Sequence, residues 1–413
     1  TPRTIEEGYM LLHGVTYFKN MKLDDVSILS FDIEATTLDP KNKNAEVLLI
    51  ANTLKRQGII TRQLFDIKDY SSEQEMIEAW CVFVRQNNPS IICGHNIFAY
   101  DFPYIISRYG KELPLGRDGE DLVVNSYPSK FRKDGSQQYD YFNIKIPGRE
   151  IIDTFFLSIK YDVARNFPSY SLKTIIEHLG MEKIGRIKWD FKKHPPKDIK
   201  DNKELWQQFK EYCNDDGDDA LKLFELMSPS FFYFNQSVPK TFQQMINEAT
   251  GSQLDTIMIR SYLQDGWSQP KTSEIKHFEG AISMGIPGIY SNVRKVDVAS
   301  LYPSIMLQYE IYNKIKDPQR HMLKILEYFR DERLNNKKLA KDTNNQYYKD
   351  LEQSQKIAIN SMYGFMGTGH LLYNYPFGAE NVTKHGREIL LKGVEWATGH
   401  TLQKSIKKVV NEG

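Results

Sequence analysis

Asp32-Ile33-Glu34 sets two carboxylates two residues apart. In a strand, side chains alternate faces with period two, so both acids would project to the same side. Like charges so placed need a cation, and hard oxygen donors of this kind suit Mg2+ or Mn2+. A second ion about 3.5–4 Å away would activate water and stabilise the leaving oxygen of a phosphodiester. Alone, an Asp-x-Glu also describes a solvated strand end, so its company decides. Asn96 and then Asp101 follow a predicted strand over residues 91–93. Tyr212 and Asp216 stand four apart in a predicted helix, where phenol and carboxylate share a face. The set is therefore four carboxylates, Asp32, Glu34, Asp101 and Asp216, with a tyrosine able to orient a nucleophilic water. Among the crowded acids Asp215, Asp216, Asp218 and Asp219, the spacing from Tyr212 selects Asp216, with Asp215 as the alternative. Asp153 reads as a hydrogen-bonding residue at the core edge.

A second set lies farther along. Asp297 ends a predicted strand and is followed by a tight Tyr302-Pro303 turn. Lys356, Asn360, Tyr363 and Gly364 recur at i, i+4, i+7 and i+8 and make one polar stripe of a helix. Arg333 and Lys337 sit on the preceding predicted helix, either as a phosphate-binding fork or as a solvated face. The basic stretches 192–197 and 404–408 read as solvated surface, with nucleic-acid contact as the alternative.

The elements that must hold these residues follow from periodicity. Strands are expected over 26–34, 46–54 and 59–65. Ser72 and Glu75 resemble a capping box opening a helix on which Ile77, Trp80, Cys81 and Val84 recur. Strand 91–93, a segment from 150, and helices over 171–179 and 203–227 continue the alternation, which argues for an α/β layer structure. Residues 242–263 read as one helix, closed by the turn-forming stretch 266–271. A hairpin is expected from 285–290 and 293–298, then long helices over 318–341, 346–363 and 379–398.

Composition sets the bounds. A chain of 413 residues suggests two or three domains. Hydrophobic residues at 40% and charged residues at 26% exclude a disordered or fibrous chain. With 54 basic against 53 acidic residues, the net charge of +1 gives no whole-molecule pull toward nucleic acid, so any such partner must be met by local patches. The scattered Cys81, Cys93 and Cys213 lack zinc spacing and a disulfide framework, which points to a reducing compartment. No apolar run approaches roughly 18 residues, and Thr1 to Glu6 lack the order of a secretory signal, so a cytoplasmic protein without membrane contact is expected.

The ordered acids resemble the three exonuclease motifs of family B DNA polymerases. Flanking text agrees: Gly148 to Thr154 and Ser169 to Gly180 are similar to the family's spacer between its second and third motifs. The stretch from Lys295 to Ile305 resembles the family's motif A, and that from Lys356 to Gly364 its motif B. The resemblance implies an α/β, RNase H-like 3′–5′ exonuclease domain followed by an incomplete α+β polymerase palm with helical fingers. It gives Asp32, Glu34, Asp101 and Asp216 the metal-ligand roles and Tyr212 the water-positioning role. It implies that Asp297 and the carbonyl of Val298 hold the polymerase metals, two Mg2+ or Mn2+ ions per active site. Backbone amides near Ser300 and Leu301 would meet the triphosphate, and Tyr302 would exclude a ribose 2′-hydroxyl. Arg333, Lys356 and Asn360 would bind nucleotide phosphates, with Lys337 beside them. Tyr363 and Gly364 would lie against the nascent base pair. Phe278-Glu279-Gly280-Ala281 resembles the family's template-contacting element, so Gly280 joins Asn96 as a DNA contact.

The implied partition is a short N-terminal segment 1–25, exonuclease 26–230, a helical linker 231–272, palm 273–317, fingers 318–364 and continuing palm 365–413. A second palm carboxylate is expected in an acidic hairpin beyond motif B, yet no aspartate follows Asp350. The expectation is thus an N-terminal portion, or one subunit of a split polymerase, completed by a C-terminal subunit or fragment and acting on primer-template, single-stranded DNA and dNTPs. The short stretch ahead of the first motif suggests a phage or viral source. A stand-alone 3′–5′ exonuclease and a non-catalytic DNA-binding module are the alternatives.

Overall fold

A computed structural model describes residues 4–132, 138–274, 278–283, 285, 287–298, 300–399 and 401. They fall into two compact units, one of residues 17–232 with 241–248, the other of 1–16, 233–240 and 249–413. The expected basic stretch 404–408 lies outside the described residues.

The first unit is built on a five-stranded sheet. Its strands are β1 (Ile28–Ala35), β2 (Val47–Arg56), β3 (Ile59–Asp66), β4 (Ile91–Gly94) and β9 (Glu150–Asp153), in the order β3-β2-β1-β4-β9. β1 pairs antiparallel with β2, and β2 with β3, while β4 lies parallel to both β1 and β9. Two small pairs flank the sheet, β5 (Val123–Val124) with β8 (Ile144–Lys145) and β6 (Ser129–Arg132) with β7 (Gln138–Tyr141). The first eight residues of β2 are buried, as a strand covered on both faces requires.

Strand parity says which helix covers which face. Asn52 accepts from the Trp80 indole of α2 (Glu73–Asn87) at 2.9 Å, and its register partner Phe31 packs 5.2 Å from the same ring system. Ser30 points the other way and donates to the Gly217 carbonyl of α6 (Lys203–Met227) at 2.8 Å. Asp32 and Glu34 share the parity of Ser30, so they face α6. A Cβ at Gly217 would meet Ala51 and Thr53 at 3.7 Å, ordinary contact that an alanine could also make.

Gly94 ends β4 where the chain turns toward α3 (Asp101–Tyr109). A Cβ at Gly94 would lie 2.6 Å from the Phe31 carbonyl, which is backbone and cannot yield. Gly94→Ala is expected to lower stability by about 2 kcal/mol in urea unfolding. A neutral result would contradict the packing described.

The remaining helices of this unit are α4 (Thr154–Tyr161), α5 (Leu172–His178) and α8 (Phe242–Asn247). The expected single helix over 242–263 is two. α8 ends where Glu248 turns extended with ψ 158°, and the Lys160 ammonium satisfies the carbonyls of Met245, Ile246 and Glu248 left there. The expected capping box at Ser72 is half present: Ser72 accepts from the Glu75 amide at 3.1 Å, but the Glu75 carboxylate binds the Ser71 amide instead.

The second unit is helical. It contains α1 (Ile5–His13), which the sequence left as a bare segment, α9 (Thr250–Gln264), α10 (Leu301–Gln308), α11 (His321–Thr343), α12 (Gln346–Gly367) and α13 (Pro376–Thr398). The helix α7 (Pro229–Asn235) straddles the division. α11 and α12 form a helical hairpin tied by Arg333–Glu352 at 2.8 Å and Asn336–Gln355 at 3.3 Å. The hairpin expected over 285–298 is absent among the described residues. Ile289, Val293 and Val296 are exposed, and a two-stranded hairpin with no apolar face to bury is marginal. No helix among the described residues is long and apolar enough to cross a membrane.

Candidate active site

The acids read from the sequence converge above β1. The donor atoms of Asp32, Glu34 and Cys213 all lie within 4.8 Å of one another. Asp101, the first residue of α3, is 2% exposed, and its carboxylate accepts from the Ile33 amide at 3.1 Å. That bond replaces a ladder partner, because β4 pairs with β1 only as far as Ser30. α6 brings Tyr212 and Asp216 over the pair. The charges of Asp101, Asp216 and Glu34 all act on Asp32.

Burial raises all four acids, and repulsion within the group adds to it at Asp32 and Glu34. Asp32 is pushed well up by burial first, then by Asp101, Asp216 and Glu34. Glu34 is raised by burial and by Asp216. Burial takes Asp101 to about 8 against the Ile33 hydrogen bond. Asp216 is raised by burial and held back by Lys173 and Arg186. A site that drives carboxylates toward protonation in this way is one a cation would relieve.

Asp215 turns elsewhere, onto Lys183 at 2.8 Å, while Asp218 meets Arg62 at 2.9 Å. Asp216 is therefore the acid of that cluster that faces Asp32 and Glu34. Tyr212 is buried, with its hydroxyl accepting from Lys173, whose ammonium also lies 4.2 Å above the phenol ring and 3.8 Å from Asp216. Three residues of this centre escaped sequence reasoning. Cys213 carries no motif signal; burial pushes its thiol well up, so it stays protonated and leaves the binding to oxygen. Lys173 was visible only inside the spacer 169–180. Arg186, which pairs with Asp216 and Asp219, sits in an unremarkable basic stretch.

Asp153 has the role its position suggested. It accepts from the amides of Asn96 at 2.7 Å, Phe98 at 3.2 Å and Phe155 at 2.9 Å, and caps α4. Burial still lifts it to about 6. Its bonds fix the Asn96 turn, where φ is 66°. Asp153→Ala would strand buried amides and is expected to cost about 3 kcal/mol by chemical denaturation. A cost below about 1 kcal/mol would contradict the anchoring role.

The second set is only partly assembled. Ser300 precedes α10 with φ 50°, and its hydroxyl accepts from Arg333 at 3.1 Å. Tyr302 packs on Tyr363 with ring centroids 4.6 Å apart, and Leu301 is half-buried beside it. Lys356, Asn360 and Gly364 are exposed along α12, and Lys337 along α11. The Gly280 carbonyl accepts from Arg387 of α13 at 2.6 Å. Asp297 and Val298 are exposed in a segment without strand structure. Among the described residues, no group of three metal-ligating side chains includes Asp297.

The donors of the first centre fit a divalent cation: clustered oxygen ligands, mutually repelling, beside a protonated thiol. The fold is thus α/β, with an exonuclease-type domain ahead of a polymerase-type one. Residues 12–175 match the family described as DNA polymerase family B, exonuclease domain, and residues 312–412 match DNA polymerase family B. The chain belongs to family B of the DNA polymerases. It is 22% identical over 408 residues to a DNA polymerase of Pyrococcus glycovorans, covering 89% of this chain and 50% of that one. DNA polymerase 2 of Aeropyrum pernix is 25% identical, with 95% and 51% covered. The DNA polymerase delta catalytic subunit of Arabidopsis thaliana is 26% identical, with 89% and 38% covered. Among solved structures, the family B DNA polymerase from the hyperthermophilic archaeon Pyrobaculum calidifontis superposes with a TM-score of 0.74 at 21% identity, over 95% of this chain and 57% of that chain. The chain spans about half the length of the first of these relatives.

Proposed function

We propose that the first unit is a 3′–5′ exonuclease acting on single-stranded DNA and on the primer end of primer-template DNA. The observation that carries this reading is the gathering of the half-buried Asp32 with the buried Glu34, Asp101 and Asp216, donor atoms of Asp32 and Glu34 lying within 4.8 Å of each other and all four acids raised. These four would hold two Mg2+ or Mn2+ ions, which when bound supply Lewis acidity to the scissile phosphate and acidify the attacking water. Tyr212 orients that water, and Lys173 sets the Tyr212 hydroxyl. Asn96 and Gly280 are assigned to DNA contact. The test is a 5′-labelled single strand: it is expected to shorten stepwise from its 3′ end with a divalent cation and to stay intact with chelator. An intact strand in both would sink the reading.

The second unit carries part of a nucleotidyl-transfer centre. Asp297 and the Val298 carbonyl are assigned to metal. The Ser300 and Leu301 amides with Arg333, Lys356 and Asn360 are assigned to the triphosphate of a dNTP, and Tyr363 and Gly364 to the base pair. Tyr302 would sit under the sugar and reject a 2′-hydroxyl by steric exclusion. The proposed partition keeps the boundaries 26–230 for exonuclease, 273–317 for palm and 318–364 for fingers, in a cytoplasmic enzyme. Primer extension is assigned to this unit in the context of a complete palm. The exposed Asp297 favours one further reading, a stand-alone exonuclease whose polymerase-like unit only holds DNA. Primer extension on adding the rest of a palm separates the two.

A further inference from the structure

We propose that Phe191 and the lysines beside it form a docking rim for single-stranded DNA at the mouth of the acid cluster. The proposal rests on the exonuclease reading of that cluster. The stretch 192–197 reads from sequence as solvated surface with nucleic-acid contact as the alternative, and the turn ahead of it is built. Trp189 packs on Phe209 of α6 with centroids 4.9 Å apart, and its indole donates to the His194 carbonyl at 3.0 Å. Asp190 accepts from the amides of Lys192 at 2.9 Å and Lys193 at 3.2 Å. The turn so fixed presents Phe191 edge-on to the Tyr212 ring, 5.8 Å away at 79°, with the Lys173 ammonium 5.9 Å from the Phe191 ring.

Isolated exposed aromatics are common and need no special reason. This one differs by position. Phe191 is 43% exposed, held by an anchored turn, and next to the tyrosine assigned to the reacting water. Lys192, Lys193 and Lys197, which follow it in the chain, are exposed. An exposed ring flanked by cations is the combination that binds single strands without sequence preference: bases stack on the ring and phosphates meet the lysines. It also suits a carboxylate-lined site, since a polyanion must be drawn past four acids by nearby positive charge.

The experiment is fluorescence anisotropy of a labelled oligothymidylate in EDTA, with cleavage of the same strand followed separately in Mg2+. Phe191→Leu keeps apolar packing against Tyr212 but loses the π face, and is expected to bind about tenfold more weakly, as is Phe191→Ala. Phe191→Trp restores binding. Replacing Lys192, Lys193 and Lys197 together by alanine is expected to lower the slope of log affinity against log salt by about 2. Wild-type affinity in Phe191→Leu, or an unchanged slope in the triple variant, overturns the proposal. If the wild type cleaves DNA but Phe191→Leu binds normally, the rim fails and the exonuclease reading stands. If it does not cleave but Phe191→Leu binds weakly, the exonuclease reading fails and the rim stands.

Discussion

Replacing Asp32 and Glu34 together by alanine is expected to abolish cation-dependent degradation of single-stranded DNA, by at least about a thousandfold. The expectation rests on geometry: β1 parity puts both carboxylates on the α6 face, and the charges of Asp101 and Asp216 converge on them. Without the pair, Asp101 and Asp216 have too few oxygen partners to hold a cation. The same substitution has a second effect that inactivation by misfolding would not give. It removes two repelling carboxylates, one half-buried and one buried, so the cation-free variant should unfold at a higher temperature than the wild type near pH 8. A variant that loses activity and also melts lower would point to a damaged sheet.

The second large effect is on stability. Asp101 has an ordinary value of 3.8 and is lifted to about 8 by burial, so the folded state holds a proton that the unfolded chain releases. For such a group, stability is full below the unfolded value and is lost as pH rises through the folded one. His95 works in the opposite sense. Burial lowers it from 6.5 to about 4, so its contribution is lost as pH falls through that range. Above pH 6.5 His95 is neutral in the folded state and mostly so in the unfolded one, and the window from pH 6.5 to 8 reports chiefly the acids. Across it Asp101 alone should cost about 2 kcal/mol in the absence of cation. Saturating Mg2+ or Mn2+ should remove that loss, because a cation binds the ionised carboxylates of the folded state only. Urea unfolding at the two pH values, with and without cation, measures it. Equal cation-free stability at both would mean that the cluster is not electrostatically loaded.

The sheet and the acids were legible because they follow from short-range rules. Period two in residues 28–35 fixed the faces of Asp32 and Glu34, and four-residue spacing joined Tyr212 to Asp216. The cations that hold the site were not legible: Lys173 and Arg186 reach it only through the packing of separate segments against α6. Cys213 was hidden because a buried thiol looks the same in a core as beside a metal site. At the break between α8 and α9 the carbonyls are taken by one side chain, Lys160, nearly ninety residues upstream. In the second unit the helices were plain from their periodicity. Among the described residues the hairpin around Asp297 is not realised, since strands need a neighbour, which local pattern does not supply.

The most direct test of the central claim is end-labelled DNA incubated with the wild-type chain and with the Asp32→Ala, Glu34→Ala variant, in Mn2+ and in chelator. A ladder shortening from the 3′ end in the wild type with Mn2+ alone, and none in the variant, is the predicted result. Degradation that persists in the variant, or an intact strand in every lane, would contradict the assignment of these carboxylates to an exonuclease centre.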